Sequence, residues 1–207
     1  EAPLRGLFRA EKDFGVRTGL IICGLRHLSP ETSLMLAELA VAYRDRGVVA
    51  FDLAGAENGN PPKAHQAAFD LAANHNLPIT IHAGEAYGAP SIHQAIHACH
   101  ANRIGHGTRL FEDVALMQYV NDFRIPLEIN LTSNVQTRAV TGFETHPLRM
   151  YYDEGLVVTL NTDNRLMSAT TVTVSEATRP GSASGSSTLT TTVVRIAPMA
   201  RAASTTS

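Results

Sequence analysis

Residues 79–85 read Ile-Thr-Ile-His-Ala-Gly-Glu, so a short apolar run delivers His82 and Glu85 to the point where it ends. A histidine can ligate a metal through a ring nitrogen, and a carboxyl group beside it can carry a proton. Gly84 between them leaves room for close approach to the backbone. Two other runs end in the same way. One is Arg103-Ile104-Gly105-His106-Gly107 and the other leads into Asn161-Thr162-Asp163-Asn164. A lone histidine or aspartate at a strand end is an ordinary hydrogen-bonding residue. Three such ends, spaced by one unit and then by two, suit a metal site served by acid–base groups.

The elements that must position these residues follow from the apolar pattern. Six short runs have strand composition: Gly19–Leu25, Val48–Leu53, Ile79–His82, Arg103–His106, Leu127–Leu131 and Val157–Leu160. Each is apolar along nearly its whole length, as strands buried on both faces are. Helices are predicted between them. Ser29 is an N-cap with Pro30 at the first helical position, for a helix running to about Arg46 and stopped by Gly47. Further helices are expected from Asn60-Pro61 to Asn74, from Ser91 to Ala101, from Phe111 to Phe123 and from His146 to Glu154. Alternation of this kind, at roughly 25–30 residues per unit, predicts an α/β fold with a parallel sheet. No glycine-rich loop follows the first run, which argues against a doubly wound nucleotide binder. Polar residues gather at many strand ends instead, namely Asp52, His82, Glu85, His106, Asn130, Ser133, Asn134, Asp163 and Asn164. That is how a (β/α)8 TIM barrel builds a site. Only about six of the eight strands are found, so the expected barrel is incomplete and occupies residues 1–174. Residues 175–207 are rich in Ser, Thr, Ala and Arg, and are expected to be a low-complexity, disordered or non-native tail.

Composition narrows the partners. The 207 residues carry a net charge of -2 with 44% hydrophobic content. Neither nucleic acid nor an anionic membrane is expected as partner. No apolar run approaches the ~18 residues that span a bilayer, and no secretory leader is expected. Cys23 and Cys99 read as reduced, buried thiols of a cytoplasmic protein. The oligomeric state is left open.

The motifs together resemble the adenosine deaminase family of zinc-dependent (β/α)8 hydrolases. His82-Ala-Gly-Glu85, Gly105-His106-Gly107 and Asn161-Thr-Asp-Asn164 match that family's motifs after its fifth, sixth and eighth strands, and Asp52-Leu53-Ala54-Gly55 matches the fourth. The resemblance spans roughly residues 15–173, and Asn161–Arg165 has the bacterial form. It implies hydrolytic deamination of adenosine or deoxyadenosine with release of ammonia, in purine salvage. It also implies Zn2+ as cofactor, with His82 and Asp163 as two metal ligands. Glu85 would protonate the purine ring, and His106 would act on the attacking water and help stabilise developing charge. Gly55 would let backbone approach the substrate, and Asn164 would hydrogen-bond the purine, its amide donating at any pH. Adenine or another aminopurine is the alternative substrate.

Two departures bear on activity. The family's first-strand His-x-His pair, which supplies two zinc ligands, is absent from the sequence. The tail lacks the helices with which the family continues. The opening Glu1-Ala2-Pro3-Leu4, without Met, reads as cut from something longer, and a shifted reading frame would account for the tail. An impaired fragment or a non-catalytic remnant is therefore also expected. His93, His97 and His100 share helical spacing but belong on an outer helix, as a polar face. Arg26 and His27 are expected at the pocket mouth, and Thr132-Ser133-Asn134 in a structural loop.

Overall fold

A computed structural model describes residues 1–168 and 191–196. The elements run α1 (Ala2–Phe14), β1 (Arg17–Leu25), α2 (Pro30–Ala42), β2 (Val48–Ala54), α3 (Gln66–Asn74), β3 (Thr80–Ala83), α4 (Ala89–His97), β4 (Arg103–His106), α5 (Val114–Asp122), β5 (Leu127–Ile129), α6 (Leu131–Gln136), α7 (Leu148–Asp153), β6 (Val158–Leu160), α8 (Arg165–Ser168) and β7 (Thr191–Ile196). Every strand pairing is parallel. β2-β1-β7 form one sheet and β3-β4-β5-β6 another. Among the described residues a single parallel bridge, Phe51 to Ile79, joins the two. The sheet is thus an open arc in the order β7-β1-β2-β3-β4-β5-β6, a partial barrel.

Local chemistry explains the element ends. The Ser29 side chain accepts the Thr32 amide, and Asp113 does the same for Leu116 at the start of α5. The expected helix to Arg46 stops at Ala42, and a 3-10 turn fills Arg44–Arg46 before Gly47. The run at residues 127–131 is shorter than predicted, because Leu131 already begins α6. Thr132, Ser133 and Asn134 therefore lie in a helix rather than a loop. Helix α1, which the apolar pattern did not announce, buries Leu4 and ends where Gly15 turns left-handed.

The core is continuous across both sheets. Phe51, Phe69, Leu53, Ile79, Ile81, Ile92, Ile104, Leu127 and Ile129 are all fully buried. β1 is buried from Gly19 to Gly24 without alternation, whereas β6 stays only half covered. Most of the 175–207 tail lies outside the described residues. Within it, Thr191–Ile196 pairs with β1 from Arg17 to Ile22.

Candidate active site

The ends of β2, β3 and β4 and the turn after β6 meet at a cleft of about 260 Å³. It is lined by Ala54, Gly55, Glu57, His82, Glu85, His106, Ser133, Thr137 and Asp163. Five of the six residues singled out from sequence are therefore together. The sixth, Asn164, is not in the lining. Its Oδ1 accepts the Met167 amide at 3.3 Å, at the start of α8.

His82 is set by a buried carboxylate. Its Nδ1 lies 3.2 Å from Asp52, which also accepts the Leu53 amide at 2.8 Å. Asp52 thus both accepts a backbone amide at the end of β2 and orients the histidine. With Nδ1 engaged, a metal held by this ring would be held through Nε2. Behind it, Arg26 is 2% exposed and donates to the His82 carbonyl and to the Asn60 carbonyl. Burial pulls the guanidinium pKa down, while the charges of Glu57 and Asp52 oppose that. Arg26 thus sits under the site rather than at its mouth.

Glu57 was not legible as a site residue. Its carboxylate accepts the amides of Gly84 at 2.6 Å, Glu85 at 3.0 Å and Tyr87 at 2.8 Å, and that of Ala86 as well. One buried carboxylate thus holds the whole loop that carries Glu85. Burial pushes its pKa up, but Ser91, the Tyr87 and Gly84 amides and Arg26 together hold it below the usual carboxylate range. Its only sequence signal is an acid two residues beyond the Asp52–Gly55 motif. Gly84 itself is required here: φ is +78°, and a Cβ would stand 2.4 Å from Ile92 Cδ1.

Glu85 Oε1 accepts from Thr137 Oγ1 at 2.6 Å and from Asn134 Nδ2 at 3.3 Å. It lies 3.6 Å from His106 Nδ1. His106 is 1% exposed and its ring centroid is 5.1 Å from that of His82. Asp163 is exposed, and its Oδ2 accepts from Ser133 Oγ at 2.7 Å. Both His106 (φ +66°) and Asp163 (φ +56°) take left-handed backbone, which non-glycine residues rarely adopt outside special sites. Gly55, at φ +98°, faces His27, whose Nδ1 would be 3.0 Å from an added Cβ.

His93 and His97 stand on the exposed face of α4 with ring centroids 4.4 Å apart, away from this cleft, as expected.

A sequence model described as adenosine deaminase matches residues 1–190. The chain belongs to the adenosine deaminase family. It is 46% identical over 168 residues to an adenosine deaminase of Clostridium acetobutylicum, covering 81% of this chain and 50% of that protein. The chain thus spans about half the length of the curated relatives it matches. An adenine deaminase from Arthrobacter aurescens superposes with a TM-score of 0.78 at 33% identity, over 84% of this chain and 53% of that one. A Burkholderia ambifaria amidohydrolase with bound zinc shares the fold at a TM-score of 0.75 and 24% identity, over 81% and 47% of the two chains.

The family points to a metal cofactor, and His82 and Asp163 are suitable donors. However, among the described residues no three His, Cys, Asp or Glu side chains group so as to hold a metal ion. A catalytic zinc usually takes three protein ligands. The described residues therefore do not make a complete zinc site by themselves.

Proposed function

We propose that this chain carries the acid–base part of a zinc-dependent deaminase site for adenosine or deoxyadenosine. The observation that supports it best is the convergence of His82, Glu85, His106 and Asp163 on one cleft, with Gly55 at its rim. The 46% identity to a named adenosine deaminase supports the substrate. Deamination adds a hydroxyl at the amino-bearing carbon of the purine and expels ammonia. Glu85, held at the cleft wall, gives a proton to the neighbouring ring nitrogen as the oxygen adds, so that nitrogen takes up the displaced electron pair. His106 faces the same space and stabilises the charge that develops on oxygen. Zinc in such sites supplies a water acidic enough to react at neutral pH. His82 and Asp163 are proposed as two of its donors. The product is inosine or deoxyinosine, and the setting is cytoplasmic purine salvage. Two buried thiols not joined in a disulfide, Cys23 and Cys99, support a reducing compartment. No helix among the described residues is long and apolar enough to cross a membrane.

A second reading changes the substrate to adenine, supported by the likeness to the Arthrobacter adenine deaminase. A third, a non-catalytic remnant, is supported by the incomplete donor set. One experiment separates them. Residues 15–168 replace the matching stretch of the Clostridium enzyme, and the zinc-loaded chimera is assayed for ammonia release from adenosine, deoxyadenosine and adenine. Turnover of adenosine, abolished by Glu85→Gln, is expected. Preference for adenine favours the second reading. A folded, zinc-loaded chimera inert toward all three favours the remnant.

A further inference from the structure

A chain of hydrogen bonds behind the cleft has a direction that donor–acceptor chemistry fixes at both ends. The Leu148 backbone N–H donates to His146 Nδ1 at 3.1 Å. A backbone amide only donates, so this nitrogen is unprotonated. The ring is buried, and burial alone pushes its pKa down to about 4, so it is neutral and its one proton sits on Nε2. That Nε2 faces Asn134 Oδ1 at 3.2 Å. With its oxygen taken as acceptor, Asn134 turns its amide nitrogen to His106 Nδ1 at 2.9 Å and to Glu85 Oε1 at 3.3 Å. A second amide agrees. Asn130 Nδ2 donates to the Glu128 carbonyl at 3.0 Å, which fixes its orientation, and it too approaches His106 Nδ1, at 3.3 Å.

Two N–H donors converge on one ring nitrogen, which must therefore accept. We infer that His146 and Asn134 are positioning residues that set the tautomer of His106, leaving Nδ1 as acceptor and the ring proton on Nε2. This rests on the deaminase reading for its catalytic meaning, and it deepens that reading. In this tautomer His106 meets the cleft as an N–H donor, suited to hold developing negative charge rather than to remove a proton. Asn134 also bridges His106 to Glu85. Their close approach is therefore two acceptors sharing one amide, not an ion pair. Asn134 thus has a role that its position in α6 did not announce, and His146, a single histidine in the sequence, gains one too.

The test needs no turnover. The intact chain, labelled with ¹⁵N and ¹³C, is examined by long-range ¹H–¹⁵N correlation of its imidazoles at neutral pH, with His106→Gln to assign the signals. His106 is expected to show a bare Nδ1 and a protonated Nε2, and His146 the same. Asn134→Asp, an isosteric change from donor to acceptor, is expected to shift the His106 proton to Nδ1 or to give the imidazolium. His146→Leu should blur the His106 pattern into a mixture, and His146→Gln, which can still donate to Asn134, should restore it. A protonated Nδ1 on His106 in the unaltered chain overturns the inference, whatever the variants do. So does an unchanged His106 pattern in a folded Asn134→Asp chain. Should a variant lose its dispersed amide spectrum, the unaltered chain alone decides. Failure of the deaminase reading shows separately, in the chimera's ammonia assay.

Discussion

The turn after β3 and the turn after β6 each deliver a proposed metal donor to the cleft, yet they are held in contrasting ways. His82 is clasped from behind by Asp52 and Arg26, and its loop donates four backbone N–H hydrogen bonds to Glu57. Asp163 stands exposed on a left-handed backbone, steadied by the Ser133 hydroxyl. It follows a three-residue strand that is only half covered. Buried, multiply hydrogen-bonded segments open rarely, and thinly packed ones open often. The β3 turn is therefore backed by buried side chains, and the Asp163 turn is the more exposed of the two.

The largest expected effect lies on the weak side. Structural zinc contributes on the order of 10–16 kcal/mol when its donor set is complete. The chain alone is expected to lose zinc to a modest chelator and to release little ammonia from adenosine. Stoichiometric zinc surviving that competition, with ordinary turnover, would contradict the contrast. On the strong side, Glu57→Ala strands Arg26 and the loop amides in a buried site. It is expected to cost about 3–5 kcal/mol in urea unfolding, as loss of one member of a buried charged network does; an unchanged midpoint would show that the loop holds itself. Acid should weaken this same side. His146 is held at about 4, below its unfolded value, so the unfolded chain binds more protons between those two values. Its contribution is fully present above about 6.5 and is lost as pH falls toward 4, up to about 3 kcal/mol. Unfolding free energies measured across that window should fall for the unaltered chain and stay flatter for a folded His146→Leu. The smallest effect is Ser133→Ala, which removes one hydrogen bond to an exposed aspartate. It should change stability by about 1 kcal/mol or less, and a larger loss would mean that the Asp163 turn is better supported than its exposure suggests.

Much of this was legible in the sequence because strands buried on both faces announce themselves as apolar runs. Each of the six runs contains a strand, although the 127–131 run ends as strand at Ile129, and His82, Glu85, His106, Asp163 and Gly55 share the cleft. What was not legible depends on distant partners. Glu57 and His146 have no local pattern, since the groups they serve come from other units of the fold. Asn164 lies in a motif, and its side chain accepts the Met167 amide at the start of α8. Thr132-Ser133-Asn134 has the polar composition of a turn, yet these residues lie in α6, with Ser133 and Asn134 buried.

The two sheets touch through the Phe51–Ile79 bridge, and the cleft straddles that seam. Gly55 and Glu57 lie on the β2 side, and His82 and Glu85 on the β3 side. The bonds from Glu57 to residues 84–87 and from Arg26 to His82 are therefore rivets across a mechanical joint. A pulling force applied between the sheets would load those bonds, together with the Asp52–His82 contact, and so act on the site itself.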